Sequence, residues 1–359
     1  MKTKDNIRIV VKIGSNVLTN TAGTPDLEHI GHLVDQLAWL RQQGAEVILV
    51  TSGAVAMGRA VLPQLDHLNK VMRRQVWASV GQARLMHFYQ ELFQPYHIHV
   101  AQLLVTKEDF RDREHYLNMK HCLQGLLRGD IIPVINENDA VAVTELMFTD
   151  NDELAGLVAA TVNAGALVIL SNVDGIFDGH PADPGSKLIP EIQPGNPQFQ
   201  QYILPSISSF GRGGMQTKYR IAAKSALLGI DTYIANGKTP DILQMIWEKS
   251  GRFTRFPAQK QASNLKKRLA HQPAERRGVV HLNEGAAEVL RSPHRVSSLL
   301  PVGLTRIEGD FEPGDLISLQ HEEQEIGIGV ARYSAATARK YIGQKGGKPL
   351  VHYDYLLIW

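Results

Sequence analysis

The sequence predicts an α/β protein: a largely parallel sheet with helices on both faces, followed by a small β-rich domain. The first two-thirds of the chain alternates short β-branched runs with longer helical segments, a pattern typical of parallel sheets. The strand-like runs are almost continuously apolar, as in strands buried on both faces. Near Phe256 this alternation stops. The chain is therefore expected to contain two domains.

Six segments are predicted as strands, at residues 7–13, 46–51, 99–104, 131–136, 166–171 and 232–235. Residues 26–44 are predicted as an amphipathic helix, because apolar residues recur at Ile30, Leu33 and Leu37. Gly44 is suited to the C-cap of that helix. Residues 151–163 and 217–228 are also predicted as helices.

The predicted domains are residues 1–256, a linker at 257–277 and a β-rich domain at 278–359. The linker is polar and basic and has no sustained apolar period. Its run Lys266, Lys267 and Arg268 could contact nucleic acid, but a solvated interdomain segment is the favoured interpretation of so short a charge run. Beyond residue 278, short apolar runs separated by Gly-rich turns indicate short strands.

The composition is that of a globular protein. Of 359 residues, 43% are hydrophobic and 21% charged, which excludes a disordered or fibrous chain. A net charge of +2 is too small to indicate a nucleic-acid or membrane partner, and no apolar stretch is long enough to span a bilayer. The single cysteine, Cys122, permits no internal disulfide and is interpreted as a small buried hydrophobe. We expect a cytoplasmic protein without a leader segment.

Two motifs place small or polar residues directly after a predicted strand. In VVKIGSNVL, Lys12 and Gly14 precede a predicted helix start, where backbone N–H groups and an ammonium favour phosphate. A solvated lysine at a strand end is the alternative. In VTSGAVAMG, Ser52 and Gly53 would permit close approach of a small substrate, or would only cap and pack the next helix.

The most informative segments are PVINENDAVAV at 133–143 and FTDNDELAGLVAA at 148–160. Their polar residues could face one crevice at the carboxyl edge of the sheet; they are Asn136, Asp139, Asp150, Asn151 and Asp152. Such a set of amides and carboxylates can bind the amino group and carboxylates of a small zwitterion. The alternative is helix capping, to which Asp and Asn are well suited.

A fourth motif, SFGRGGMQTKYRIAAKSA, places Gly211, Gly213 and Gly214 before a predicted helix with Lys218 in its first turn. Flexible glycines at a helix N-terminus are typical of an anion-binding site. The spacing is not that of a Walker A loop, no GxGxxG opens a first βαβ unit, and the 14 histidines form no HExxH pattern. These absences argue against a P-loop enzyme, a dinucleotide enzyme and a zinc enzyme.

Taken in order, these four motifs together with LSNVDGIFD resemble the amino-acid kinase family, and within it the members that phosphorylate glutamate. VASVGQARLM and VTKEDFRDREHYLNMKHCL add to that resemblance, and SSLLPVGLTRIEGDFEPGDLISL is similar to a PUA domain. The resemblance covers almost the entire chain. It implies an αβα sandwich for residues 1–256 and an ATP-dependent transfer of phosphate to the γ-carboxylate of glutamate, the first step of proline biosynthesis.

The resemblance also implies roles for individual residues. Lys12 and Lys218 would touch the transferring phosphoryl group, and Asp152 would orient both lysines. Glutamate would be held by Ser52, Asn136, Asp139, Asp150 and Asn151. The nucleotide would be held by Lys12, Gly14, Ser171, Asn172, Arg212, Gly213, Gly214, Met215, Gln216, Thr217 and Lys218. Some family members have Thr-Asp in place of Ser171 and Asn172, which puts the nucleotide contact of Asn172 in question.

The expected cofactor is Mg²⁺ bound with ATP, without a metal site built from protein ligands. The resemblance further implies a homo-oligomer (dimer or tetramer), inhibition by proline, and delivery of the acyl phosphate to glutamate-5-semialdehyde dehydrogenase. Two alternatives stay open: a kinase acting on acetylglutamate, and an RNA-binding PUA protein. From Gly278 onward the chain has eight Lys and Arg against ten Asp and Glu, which argues against a nucleic-acid partner.

Overall fold

The computed structural model describes residues 7–141, 148, 150–181, 183, 185–194, 214–259, 276–292, 297–344 and 346–358. The chain forms two compact units, residues 1–260 and 261–359. Most of the predicted linker lies outside the described residues. The predicted boundaries at 256 and 278 therefore stay predictions.

The first unit contains a seven-stranded sheet. Its strands are β1 (Arg8–Ile13), β2 (Glu46–Val50), β3 (Val100–Val105), β4 (Ile132–Glu137), β5 (Ala166–Ser171), β6 (Asp231–Asn236) and β7 (Phe253–Phe256). They lie in the order β3-β4-β2-β1-β5-β6-β7, and every neighbouring pair is parallel except β6 with β7. Each of the six predicted strands is confirmed to within one residue at either end. The edge strand β7 was not predicted.

Helices of the first unit connect these strands. They are α1 (Ser15–Leu18), α2 (Leu27–Gln42), α3 (Ala54–Val61), α4 (Lys70–Phe93), α5 (Glu108–Arg111), α6 (Arg113–Arg128), α7 (Asn151–Thr161), α8 (Met215–Leu227) and α9 (Ile242–Trp247). The three predicted helices are confirmed as α2, α7 and α8. Asp26 caps α2 by accepting a hydrogen bond from the backbone N–H of His29.

The sheet has an apolar core on each face, because side chains alternate along a strand. On β1, Val10 packs with residues of α6, α7 and α8, whereas Val11 packs on the opposite face with residues of α2, α3 and α4. Both side chains are fully buried. Helices therefore cover both faces, which confirms the predicted αβα architecture.

Cys122 is exposed, so the prediction that it is a buried hydrophobe was wrong. It lies on α6, whose buried residues Tyr116, Met119 and Leu123 recur at the helical period. Cys122 is one position away from that stripe, and the helix turns it toward solvent.

The second unit has its own sheet and core. Its strands are β8 (Gly278–Leu282), β9 (Leu304–Gly309), β10 (Leu316–His321), β11 (Gln324–Val330) and β12 (Leu356–Ile358), in the order β12-β11-β10-β8-β9. Its helices are α10 (Glu284–Arg291) and α11 (Ala335–Tyr341). Val280, Ile317 and Leu319 are among its fully buried core residues. The predicted β-rich C-terminal unit is confirmed. Among the described helices of both units, none combines the length and apolarity needed to cross a membrane.

Candidate active site

A cleft of 520 Å³ opens at the carboxyl edge of the large sheet, where β1, β2, β4 and β5 end. This is the edge at which parallel α/β sheets bind ligands. Eleven of the predicted site residues line it: Lys12, Gly14, Ser52, Asn136, Asp139, Asp150, Asn151, Asp152, Ser171, Asn172 and Lys218. Of the remaining predicted residues, Gly214, Met215, Gln216 and Thr217 are not among those that line it, and Arg212 and Gly213 lie outside the described residues.

Two lysines meet on one buried carboxylate at the inner part of this cleft. Lys12 is the last residue but one of β1, and its Nζ lies 2.5 Å from Asp152 Oδ1. Lys218, in the first turn of α8, places its Nζ 2.9 Å from Asp152 Oδ2. Asp152 is fully buried and Lys12 is 5% exposed. The three charges sum to +1, so the cluster attracts anions.

Burial and the charges of this cluster shift the pKa of two carboxyl groups, Asp152 itself and the neighbouring Asp150. Burial alone would raise the pKa of Asp152, but the ammonium groups of Lys12 and Lys218 outweigh burial and hold that pKa below its usual range. The pKa of Asp150 is raised, first by burial and then by the negative charge of Asp152. Asp152 is therefore ionised and pairs with both lysines. Ionisation of Asp150, by contrast, is disfavoured in the folded protein.

Asp150 both caps α7 and faces the cleft. Its Oδ1 accepts hydrogen bonds from the backbone N–H groups of Asp152 (2.9 Å) and Glu153 (3.1 Å). Its Oδ2 is buried without a hydrogen-bond partner among the described residues. The capping interpretation is thus correct for one oxygen, and the other is available to a ligand.

A network of amides fixes the opposite wall. Asn151 Nδ2 donates to the backbone oxygen of Thr51 at 2.7 Å, to Ser52 Oγ at 2.9 Å and to Asn136 Oδ1 at 3.1 Å. Asn136 Nδ2 in turn donates to Gln82 Oε1 at 2.9 Å. Since the amide N–H groups of Asn151 are used within the protein, its Oδ1 is left as an acceptor. Ser52 Oγ accepts from Asn151, so its hydroxyl hydrogen can be donated to a ligand.

Residues 8–236 match the amino acid kinase family, and residues 278–352 match the PUA domain. The first match alone covers more than half of the chain. The chain belongs to the amino acid kinase family. Its second unit carries the PUA domain.

Curated relatives support this assignment over nearly the full length. The chain is 50% identical to the glutamate 5-kinase of Chlorobaculum tepidum, covering 98% of this chain and 97% of the relative. It is 47% identical to the glutamate 5-kinase of Bacteroides thetaiotaomicron, covering 98% of each. The corresponding enzyme of Myxococcus xanthus is 39% identical over 97% of this chain and 93% of its own.

Similar solved structures support the fold alone, because their sequences are distant. Carbamate kinase from Giardia lamblia bound to AMP-PNP superposes with a TM-score of 0.52 at 14% identity, covering 70% of this chain and 99% of its own. UMP kinase from Ureaplasma parvum gives a TM-score of 0.50 at 16% identity, with the same coverage.

Two glycines shape the backbone beside the site, one at the N-cap of α3 and one where α4 touches α3. Gly53, at the N-cap of α3, has φ +97°, a left-handed conformation that disfavours a side chain. A Cβ on Gly81 of α4 would lie 1.8 Å from the backbone oxygen of Ala54 on α3. Only glycine permits this approach, which brings Gln82 beside Asn136.

Sequence reasoning missed two residues of α4 that reach this site. Gln82 is 7% exposed and holds Asn136. Arg74 lines the cleft, and its Nη2 lies 2.9 Å from Asp139 Oδ1. The spacing from Arg74 through buried Ala78 to Gln82 follows the helical period and was the available signal.

The nucleotide residues are only partly described. Ser171 and Asn172 follow β5, and Ser171 Oγ donates to Asn172 Oδ1 at 3.4 Å. The nearby Asn236 at the end of β6 donates to Asp174 Oδ1 at 3.1 Å. The predicted nucleotide contacts stay predictions.

The donor set fits a divalent ion that arrives with its own oxygen ligands. Among the described residues, no group of three or more His, Cys, Asp and Glu side chains could hold a metal. Both oxygens of Asp152 face lysines, which leaves Asp150 Oδ2 as the buried carboxylate oxygen lacking a described partner. Phosphate oxygens and water would have to supply most ligands, as kinases commonly arrange.

Proposed function

We propose that this chain has glutamate 5-kinase activity: it transfers the γ-phosphoryl group of ATP to the γ-carboxylate of glutamate, giving γ-glutamyl phosphate and ADP. The names of the full-length relatives support the substrate. The observation that carries the chemistry is the pair of lysines, Lys12 and Lys218, held on opposite oxygens of buried Asp152.

A carboxylate oxygen is already a nucleophile, so the reaction needs no general base. The bond that forms joins this oxygen to the γ-phosphorus of ATP, and the bond that breaks joins that phosphorus to the β,γ-bridging oxygen. Negative charge shifts onto ADP as this occurs, and catalysis consists of in-line positioning and charge stabilisation. Lys12 and Lys218 supply two cations for this purpose, and Asp152 holds both in place.

The polarity of the amide wall matches the amino group and carboxylates of glutamate. Asn151 Oδ1, Asp150 Oδ2 and Asp139 offer acceptors for the ammonium group. Ser52 offers a hydroxyl donor to a carboxylate. Asn136 contributes by orienting Asn151.

The nucleotide would lie over Gly14, Ser171 and Asn172 and against the segment Arg212–Lys218. Mg²⁺ bound to ATP would neutralise phosphate charge, with phosphate oxygens and water as its main ligands.

The proposal extends to cellular context. An acyl phosphate hydrolyses readily in water, which favours direct delivery to glutamate-5-semialdehyde dehydrogenase in proline biosynthesis. We also propose a cytoplasmic homo-oligomer, a dimer or tetramer, inhibited by proline. The exposed thiol of Cys122, with no cysteine partner in the chain, suits a reducing compartment.

The test is a coupled assay of ADP release with Mg·ATP and a panel of acids: glutamate, N-acetylglutamate, aspartate and carbamate. Hydroxylamine added to parallel reactions traps the acyl phosphate as a hydroxamate. We expect turnover with glutamate and a matching yield of hydroxamate. Preference for N-acetylglutamate would contradict the substrate, and absence of turnover with every acid would contradict the kinase activity.

A further inference from the structure

Helix α4 presents two adjacent arginines in different surroundings. Arg73 Nη1 pairs with exposed Asp66 at 3.0 Å, and its guanidinium lies 5.3 Å from the ring centroid of Trp77. Arg74 lines the cleft and pairs with Asp139, whose side chain is 11% exposed. The helical rotation of 100° between neighbours separates the two side chains, so only Arg74 can contact a ligand in the cleft.

The loop after β4 is bound to α4 at several points, which fixes the position of Arg74. Gln75 Nε2 donates to the backbone oxygen of Ala140 at 3.0 Å, beside the contact between Arg74 and Asp139. Two turns further along α4, Gln82 holds Asn136. The guanidinium is not fully hydrogen-bonded within the protein, because Arg74 Nε is buried without a hydrogen-bond partner among the described residues.

The cationic side chains that line the cleft have different partners within the protein. Lys12 and Lys218 share Asp152, which leaves them to the phosphoryl group. Arg59 Nη2 donates to the backbone oxygen of Gly23 at 2.8 Å. Arg74 and Asp139 together form a pair of opposite charges, complementary to the ammonium and carboxylate that every free α-amino acid carries on one carbon.

We propose that Arg74 is a specificity-determining residue that binds the α-carboxylate of the substrate while Asp139 binds its α-ammonium group; this rests on the proposed glutamate activity. Arg74 lies about 12 Å along α4 from Gln82, given eight residues at 1.5 Å each. It therefore belongs to the outer end of the glutamate site. An acid without an α-carboxylate leaves the guanidinium unmatched and is rejected.

The test compares Arg74→Met and Arg74→Lys with the control Arg73→Met on three acids. Glutamate carries both head groups, 4-aminobutyrate lacks the α-carboxylate, and glutarate lacks the amino group. For each acid we measure kcat/KM, or the inhibition constant against glutamate where turnover is absent. Far-UV circular dichroism and Tm verify that each variant is folded.

We expect Arg74→Met to raise the KM for glutamate roughly 30-fold or more, the size of a lost charge-assisted contact, with a smaller change in kcat. Glutarate should weaken by a similar factor and 4-aminobutyrate by less than about 3-fold, so the preference for glutamate over 4-aminobutyrate collapses. Arg74→Lys should recover part of this preference, because it keeps the charge without the planar fork. Arg73→Met should behave as the wild type.

Three results would overturn the proposal. Equal losses for glutamate and 4-aminobutyrate, with glutarate unaffected, would mean that Arg74 only positions Asp139. An unchanged KM for glutamate in folded Arg74→Met would remove Arg74 from recognition. Wild-type protein that does not turn over glutamate would refute the proposed activity itself, and the Arg74 assignment with it.

Discussion

Replacing Lys218 with alanine tests the charge cluster directly. The variant removes one of two cations from Asp152, so the net charge of the cluster falls from +1 to 0. The side chain of Lys218 is only 11% exposed, so water screens its charge weakly. Loss of one charge-stabilising donor in such a site costs about 3 kcal/mol of transition-state stabilisation, or about 10² to 10³ in kcat. Lys12 stays 2.5 Å from Asp152, so the carboxylate keeps a partner and the fold should persist.

The measurement is steady-state ADP release at saturating glutamate and Mg·ATP, with the KM for glutamate determined alongside. We expect the KM for glutamate to change little, because Lys218 acts on the phosphoryl group. Arg220→Ala is the matched control, since Arg220 is an exposed cation on the same helix. A kcat within about 3-fold of the wild type for folded Lys218→Ala would refute the role of this lysine in phosphoryl transfer.

Three further predictions concern stability and domain structure. Because burial and the charge of Asp152 raise the pKa of Asp150, its ionisation opposes folding at neutral pH, and that penalty disappears as pH falls through the raised pKa. Asp150→Asn keeps the capping oxygen, so its Tm at pH 7 should be equal to or higher than that of the wild type, and its Tm should change less as the pH is lowered. The KM for glutamate should rise about 10-fold. A large fall in Tm would contradict this prediction. Gly81→Ala places a Cβ 1.8 Å from the backbone oxygen of Ala54. It should lower the free energy of unfolding, measured in urea, by about 1–3 kcal/mol. In the control Gly125→Ala the new Cβ has no atom within 4 Å, so this free energy should rise by about 0.5–1 kcal/mol. Equal effects of the two would show that the helix contact is not tight. A fragment of residues 1–258 should remain folded and release ADP with glutamate, because each unit has its own apolar core; a soluble fragment without turnover would mean that catalytic groups lie beyond residue 258.

Much of the site followed from strand positions. Lys12, Ser52 and Asn136 each lie at or just after the end of an apolar run, and the carboxyl ends of parallel strands share one edge of the sheet. Their gathering in one cleft was therefore predictable once the strands were identified. Asp150 could be interpreted either as a cap or as a site residue, and each of its two oxygens fits one of these interpretations.

The helices were less predictable, because a helical side chain is directed by the rotation of its helix and by what packs against it. Nothing local distinguishes Arg74 from Arg73, yet only Arg74 lines the cleft. Cys122 was assigned to the core although α6 turns it toward solvent. Gln82 became part of the site only because Gly81 lets α4 approach α3.

By itself, the sequence determined the sheet, its covering helices and the family, because buried parallel strands appear as apolar runs and the motifs at their ends keep their order along the chain. Only the tertiary structure decided which charges neutralise one another. Lys12 and Lys218 lie far from Asp152 in sequence, and their pairing on its two oxygens depends on how α7 and α8 pack over β1. Burial of Asp152 requires this pairing, because the free-energy cost of burying an ionised carboxylate without a cationic partner would be too high.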